Sequence, residues 1–182
     1  MKKAAGVDAH RFRFIDESGA KTNMTRLCGR CKGGERLLDA APHGHWETTT
    51  MIGCLGGDGS TALMVIEGPT DAAVFRAYIK HVLVPTLRPG EIVALDNLSS
   101  HKGPEIREMI EAVGAELWYL PPYSPDLNPI EKMWSKVKEL LRGYKARSPE
   151  ELYRAIRRAL KQVTAQDAAG WFESCGYRYD KS

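Results

Sequence analysis

The first half of the chain shows the two-residue alternation of apolar and polar side chains that is typical of half-buried β-strands. Residues 11–15 alternate in this way, and this run ends at Asp16, ahead of the breaker pair Ser18 and Gly19. Residues 46–68 contain two β-rich runs around the turn GGDGS, which predicts a hairpin. Together these segments predict three antiparallel strands.

The second half alternates between helical and strand-like patterns. Short apolar runs at 91–96 and 115–120 predict strands. Apolar residues at helical spacing predict helices after Thr70, the expected N-cap, and from about Pro104, from about Ile130 and from Ser148. The resulting order, β-β-β-α-β-α-β-α-α, predicts an α/β fold with a mixed five-stranded sheet flanked by helices. Ligands of such sheets gather at the carboxyl ends of the strands.

Length and composition are those of one soluble globular domain. The chain has 182 residues, of which 43% are hydrophobic and 27% charged, and this excludes disordered and fibrous classes. No segment resembles a signal peptide or a membrane span, so we expect a cytosolic protein without a membrane partner. Four cysteines are too few to suggest a disulfide framework. Cys28 and Cys31 form a C-x-x-C pair without a second pair, and we predict no zinc site.

The positive charge is concentrated toward the C-terminus. The whole chain carries a formal net charge of +3, whereas residues 131–182 contain 12 Lys and Arg against 7 Asp and Glu. A polyanionic partner would be attracted to that end, although a charged run is also typical of a solvated helix face. Lys138 and Arg142 share a predicted helix face with Glu131, and they are candidates for contacts with a phosphate backbone.

Three acidic residues are candidates for a shared site. Asp16 and Asp96 follow two predicted strands, and Glu131 lies at the start of a predicted helix. Each alone is explained as well by local turn or cap hydrogen bonds. If the two strands are neighbours and the helix closes the third side, the carboxylates repel one another unless a cation lies between them. Ligation by oxygen alone favours Mg²⁺ or Mn²⁺, with two ions for phosphoryl chemistry.

The segment DLNPIE also allows a purely structural interpretation. Asn128 is a favoured N-cap residue, Pro129 suits the first helical position, and Glu131 falls where a capping box is closed. The sequence alone leaves open whether the Glu131 carboxylate caps the helix or binds metal. We expect Asn128 to cap the helix in either case.

Three longer motifs, FIDESG, VALDNLSSHKG and LWYLPPYSPDLNPIEKMWSKVK, closely resemble the catalytic domain of IS630-type transposases in the Tc1/mariner superfamily. The 34 residues between Asp96 and Glu131 match the DD34E members of that superfamily. The resemblance extends from about residue 12 to about residue 160. It implies an RNase H-like fold with Asp16, Asp96 and Glu131 as the metal-binding DDE carboxylates. It also places Asn97 and His101 beside the second aspartate, where they are candidates for DNA contacts.

Members of this family cleave DNA at transposon ends and join the freed 3′ hydroxyls to target DNA. The resemblance therefore implies double-stranded DNA as the partner and a dimer or higher oligomer on that DNA. Family members also carry an N-terminal helix-turn-helix region, whereas only about ten residues precede the first predicted strand here. We expect one catalytic domain over residues 1–182, with a tail at 1–10 and C-terminal helices from about 145, and no N-terminal recognition domain. Three origins remain open: a separately encoded half whose recognition domain is on another chain, a truncated remnant, or an excised catalytic domain.

Two other functions remain compatible with the sequence. One is a catalytically idle DNA-binding or regulatory remnant of a transposase. The other is a different RNase H-like nuclease, acting on an RNA–DNA hybrid or on branched DNA.

Overall fold

The structure is a computed structural model, and it describes residues 6–26, 28–36, 38, 40, 42, 46, 48–97 and 103–180. Within these ranges, no helix combines the length and the apolar composition needed to cross a membrane. All five predicted strands lie in one sheet, and the candidate acidic residues all fall in described segments.

The sheet has the mixed topology that the sequence predicts. Its spatial order is β3-β2-β1-β4-β5, with β1, β2 and β3 antiparallel and β4 and β5 parallel to β1. The strands are β1 (Phe12–Lys21), β2 (Thr48–Gly56), β3 (Thr61–Glu67), β4 (Ile92–Leu95) and β5 (Glu116–Tyr119). The predicted hairpin is formed by β2 and β3.

The first strand is longer than predicted. Ser18 and Gly19 do not end it, because they pair with Met51 and Thr50 of β2, and β1 continues to Lys21. Backbone pairing across a long antiparallel ladder therefore outweighs the local preference of Ser and Gly for turns. As a consequence, Asp16 lies in the middle of β1 and not at its end.

The described residues form five α-helices around the sheet. They are α1 (Ala72–Tyr78), α2 (Pro104–Glu111), α3 (Pro129–Tyr144), α4 (Pro149–Leu160) and α5 (Ala165–Ser174). The N-cap of α1 is Asp71, whose side chain accepts the N–H of Val74 at 2.8 Å, and not Thr70 as predicted. The sequence prediction missed α5 although it begins with a capping box formed by Thr164 and Asp167. The short apolar stripe of α5 resembles a continuation of α4, and this hid the break between the two helices.

Side-chain alternation divides the core into two layers. Phe12 and Phe14 of β1 contact the cluster that contains α3, α4 and α5, whereas Ile15 faces the cluster that contains α1 and α2. Each layer is built from apolar helix faces of the kind that the sequence predicts. Leu152, Ala155, Ile156 and Ala159 of α4 are buried, as expected.

The outer edge of β3 is open in the part of the chain that the structure describes. Its outer neighbour position is empty, because β3 is the first strand in the sheet order. Five consecutive apolar residues, Ala62 to Ile66, are only half-buried along this strand. The feature is unusual because exposed edge strands commonly carry charges or prolines in their interior.

Candidate active site

The pairing of β1 with β4 brings the first two acidic residues together. Phe12 pairs with Ile92 and Phe14 with Ala94 in a parallel register. Continuing this register by two residues places Asp16 opposite Asp96, which directly follows the end of β4. Since side chains two residues apart lie on the same face of a strand, both acids share the face of Phe14 and Ala94, against which α3 packs.

The packing of α3 on the sheet delivers the third acidic residue. Trp134 of α3 is 1% exposed, and its ring lies directly over Gly53 of β2, so close that a Cβ added there would be 2.7 Å from Cη2. Gly53 is also the cross-strand partner of Asp16. Glu131 precedes Trp134 by about one helical turn. The contact between the indole and the glycine therefore sets the first turn of α3 beside Asp16.

The three acidic residues line one cavity of about 370 Å³. Its other lining residues are Asn97, Asn128 and the segment from Leu120 to Pro125. Proline residues 121, 122 and 125 restrict the backbone of this segment. Tyr123 lies between them with a left-handed φ of 56°, and its side chain is fully exposed at the cavity wall. A strained backbone conformation of this kind is most common at functional sites.

Electrostatics within the cavity are unfavourable for three charged carboxylates. Burial, followed by repulsion from Glu131 and from Asp96, raises the pKa of Asp16 from 3.8 to about 7. A hydrogen bond from the backbone N–H of Glu17 opposes this shift only in part. At neutral pH, Asp16 therefore retains a proton in a large fraction of the molecules unless positive charge is supplied.

The donor atoms of the cavity suit a hard divalent cation. Carboxylates and an amide offer only oxygen ligands, which Mg²⁺ and Mn²⁺ prefer. Across the residues that the structure describes, no three Asp, Glu, His or Cys side chains are already arranged to hold an ion. Repulsion among the carboxylates explains why they share a cavity without converging on a point. Glu131 is exposed, so its side chain has room to change rotamer.

The side-chain cap expected from Asn128 at the start of α3 is absent, and the alternative of a capping box closed by Glu131 is absent with it. Asn128 occupies the N-cap position and Pro129 the first helical position, as predicted, but the Asn128 side chain makes no capping hydrogen bond. The N–H of Glu131 donates instead to the backbone carbonyl of Asn128 at 3.2 Å, and the N–H of Asn128 donates to the carbonyl of Pro125. The Glu131 carboxylate is therefore not engaged by the cap.

The remaining predicted site residues are distributed around the cavity. Asn97 is exposed and lines it. Lys138 and Arg142 are half-buried on the α3 face that carries Glu131, and Arg142 forms an ion pair of 3.6 Å with Glu139. His101 lies outside the described residues, so its role stays a prediction.

The C-x-x-C pair lies in an exposed segment. Cys28 and Cys31 are free thiols there, and the nearby residues His43 and His45 fall outside the described ranges.

A second, basic cavity was not predicted from the sequence. It has a volume of about 310 Å³ and lies where α3 ends and α4 begins, lined by Tyr144, Lys145, Ala146, Glu151, Arg154, Ala155 and Arg158. The guanidinium of Arg158 stacks over the Tyr144 ring at 4.5 Å from its centroid. The i,i+4 spacing of Arg154 and Arg158 on a predicted helix is the sequence feature that could have identified this surface.

The order of the acidic residues and the fold around them can be compared with known proteins. The family model described as DDE superfamily endonuclease matches residues 11–153, which is most of the chain. The chain belongs to this family. The match includes Asp16, Asp96 and Glu131 and most of the sheet.

Curated relatives of this DDE superfamily domain are Tc1/mariner-type transposases. The Tcb2 transposase of Caenorhabditis briggsae is 28% identical over 150 residues, which are 80% of this chain and 54% of that protein. The Tcb1 transposase of the same organism is 25% identical over 124 residues, which are 65% of this chain and 45% of that protein. The chain thus spans about half the length of these relatives.

Solved structures confirm the RNase H-like fold. The Mos1 transposase paired-end complex with left transposon end superimposes with a TM-score of 0.54 at 20% identity, covering 97% of this chain and 59% of that one. The catalytic core domain of BIV integrase gives a TM-score of 0.52 at 15% identity, and the match covers 83% of this chain and 81% of that one. The DDE superfamily domain therefore shares its architecture with transposase and integrase cores.

Proposed function

We propose that the chain is the catalytic domain of a metal-dependent DNA transposase of the IS630 type. The proposed reaction is cleavage of phosphodiester bonds at transposon ends, followed by joining of the freed 3′ hydroxyls to target DNA. One observation carries the proposal: Asp16, Asp96 and Glu131 come from three separate parts of the chain and line one cavity. The 34 residues between Asp96 and Glu131, which are typical of DD34E members, support the IS630 assignment.

In this proposal Asp16, Asp96 and Glu131 hold two Mg²⁺ or Mn²⁺ ions. The raised pKa of Asp16 supports a cationic occupant, because a nearby positive charge removes the repulsion that causes part of the shift. A mariner Mos1 paired-end complex with Mg shares this fold, with a TM-score of 0.53, and supports the choice of metal. Bound ions of this kind neutralise charge and activate an attacking oxygen in phosphoryl transfer.

The protein's own contribution is to fix the positions of the acids. Asp16 and Asp96 stand on or directly after paired strands, which hold their backbones in place. Glu131 is exposed on the first turn of α3, and the buried part of that helix anchors it. The rigid proline segment beside it lowers the conformational entropy lost in ordering this wall of the cavity.

DNA is the proposed partner, and the basic residues of α3 and α4 are the proposed contacts. Lys138 and Arg142 extend from Glu131 along one helix face, and Asn97 and His101 are proposed contacts near the second aspartate. Lys145 lies 14 residues after Glu131, or about 21 Å along α3 at 1.5 Å per residue. The basic cavity beside it would meet the same duplex about six base pairs away from the cleaved bond, at 3.4 Å per base pair.

Assembly on DNA as a dimer or larger oligomer is part of the proposal, because two transposon ends must be cut together. The Mos1 paired-end complex supports this arrangement by analogy of fold. A location in the cytosol at the nucleoid completes the proposal.

The function is tested by incubating the purified chain with supercoiled plasmid and Mn²⁺ and measuring nicked circles on a gel. We expect weak, poorly sequence-specific nicking that Asp96→Asn abolishes. Asp126→Asn is the matched control, because Asp126 is an exposed acid of the segment between β5 and α3 that does not line the cavity. The control variant should retain nicking.

The same assay separates the other two functions. DNA binding without nicking, unchanged by Asp96→Asn, would identify a regulatory remnant. Preferential cleavage of an RNA–DNA hybrid or of branched DNA would identify a different RNase H-like nuclease.

A further inference from the structure

The side chain of Asn128 lacks a partner that its position demands. The residue is 5% exposed, and its Oδ1 is buried without a hydrogen bond from any described residue. A buried acceptor without a donor is unfavourable, and such groups in a folded protein commonly mark the place of a bound water, ion or ligand. Asn128 also lines the cavity of the three acids.

The start of α3 does not account for this side chain. A capping Asn would accept the N–H of the second or third helical residue. The third residue, Glu131, already donates its N–H to the Asn128 backbone carbonyl. Because Asn128 precedes Pro129, its backbone is restricted to the extended region, and it has φ −110° and ψ 94°. The amide oxygen is thus not used by the helix. Because it is buried although the residue lines the cavity, a rotation of the side chain would bring it to the cavity.

The chemistry of the cavity limits what this oxygen can accept. A protonated Asp16 could donate a hydrogen bond in the metal-free protein, but the acids are acceptors only once a bound cation has displaced that proton. A phosphate group brings no donor either. A hydrated divalent cation provides both positive charge and water protons. Amide oxygens are ordinary partners of such ions alongside carboxylates.

We propose that Asn128 is a fourth member of the cation site, in which Oδ1 gives a neutral oxygen to the hydrated divalent ion that the three acids hold. The inference rests on the proposed function of that site. Asn128 acts as a positioning residue: it adds affinity without a further negative charge, which would increase the repulsion that already raises the pKa of Asp16.

The experiment measures Mn²⁺ binding to the full chain without DNA, by isothermal titration calorimetry, and the melting temperature of the metal-free protein. Asn128→Leu and Asn128→Asp are compared because both keep the approximate size of the side chain. For Asn128→Leu we expect a Kd raised by roughly tenfold, as for other groups that orient a bound metal. The metal-free melting temperature should not fall, because an unsatisfied acceptor is removed.

For Asn128→Asp we expect the opposite pair of results at pH 8. A fourth carboxylate should tighten Mn²⁺ binding and lower the metal-free melting temperature. A capping role predicts the reverse for stability, since Asp caps helices as well as Asn does and Leu does not. The two variants therefore distinguish a cation-site residue from a structural cap.

Asp96→Asn and Asp126→Asn are the controls. If Asp96→Asn weakens Mn²⁺ binding but both Asn128 variants bind as the wild type does, the inference about Asn128 is overturned and the proposed function stands. If Asp96→Asn also leaves binding unchanged, the metal site itself is wrong. A lower metal-free melting temperature for Asn128→Leu alone, with unchanged Kd, would assign Asn128 to the cap.

Discussion

At the scale of single residues, the central feature is a carboxyl group placed where its charge is disfavoured. Asp16 is in the middle of a paired strand, and it cannot move away from Glu131 and Asp96 without breaking that pairing. Its pKa of about 7 is therefore a consequence of the fold. The predicted strands and the 34-residue spacing indicated which acids line one cavity, but the degree of burial depends on packing that no local pattern encodes.

This pKa predicts how the stability of the metal-free protein depends on pH. Between about 4 and about 7 the folded state binds the Asp16 proton and the unfolded state releases it, so the free energy of unfolding falls as pH rises. The stabilisation that comes from the Asp16 proton is completely lost above the pKa of the folded state. Across this range the free energy of unfolding falls by at most about 1.4 kcal/mol per pH unit. Urea unfolding in EDTA measures the free energy of unfolding at pH 5 and pH 8. It should fall less between these pH values for Asp16→Asn than for the wild type.

Glu17→Gln is the control for this measurement, since Glu17 is the next residue of β1, faces the other side of the sheet, and contributes least among the causes of the raised pKa of Asp16. Its unfolding free energies should follow those of the wild type at both pH values. Parallel pH profiles for wild type and Asp16→Asn would contradict the prediction.

At the scale of elements, the contact between α3 and the sheet determines where the third acid lies. Trp134 fits over Gly53 because a glycine leaves room for the ring. Ile130, Met133 and Val137 extend the same apolar stripe into the core. The helix is thus placed by its buried face, and Glu131 is placed by the helix.

Gly53→Ala should disturb this contact directly. Its Cβ would lie 2.7 Å from Cη2 and 2.9 Å from Cζ2 of Trp134, so α3 must shift. We expect a loss of about 1–3 kcal/mol in the free energy of unfolding, as for other overpacked cores. Binding of Mn²⁺ should weaken at the same time, because the shift moves the first turn of α3. Urea unfolding and calorimetry measure the two effects.

Gly19→Ala is the matched control in the neighbouring strand, since a Cβ at Gly19 meets no atom within 4 Å. Replacing a strand glycine there should not destabilise the protein, because alanine restricts the unfolded chain. Equal effects of the two substitutions would argue against a specific role for the contact between Trp134 and Gly53.

The elements also show which parts of the fold could be predicted. The periodicity of apolar residues correctly gave the sheet, the hairpin and four of the described α-helices. It failed where tertiary contacts override local preference: at Ser18 and Gly19, which are held in β1 by β2. The residue types at the start of α3 were also misleading, because they match a capping box whose side-chain hydrogen bonds are absent. Helix α5 was missed because its apolar stripe is short.

At the scale of the whole molecule, basic and acidic groups are spread unevenly over the two faces of the sheet. Lys145, Arg154 and Arg158 surround a cavity on the side of α3 and α4. Arg76 and Arg107, on the opposite side, are paired with Glu105 and Glu111. The cavity between α3 and α4 is therefore a candidate surface for a polyanion, on the side of the sheet that also carries the acidic cavity.

The double substitution Arg154→Gln with Arg158→Gln should weaken binding to a DNA duplex and reduce its salt dependence. Each lost phosphate contact lowers the slope of log K against log salt by about 0.9. Fluorescence anisotropy with a labelled duplex at several salt concentrations measures both quantities. The change should be similar for duplexes of unrelated sequence, because phosphate contacts carry no sequence information.

Arg76→Gln with Arg107→Gln is the control, since it removes the same charge from the other side of the sheet. It should leave the slope unchanged. An equal reduction by both double variants would mean that net charge alone, and not the cavity between α3 and α4, governs the binding.

The open outer edge of β3 affects how the size of the molecule can be measured. An apolar strand at the edge of a sheet tends to add a strand from another molecule. An antiparallel match centred on Met64 would place Glu67 opposite Thr61 of the second molecule, so no like charges would meet. Concentrated samples would then contain pairs of molecules joined without nucleic acid, and stoichiometry measured at high concentration would count these pairs together with any assembly built on transposon ends.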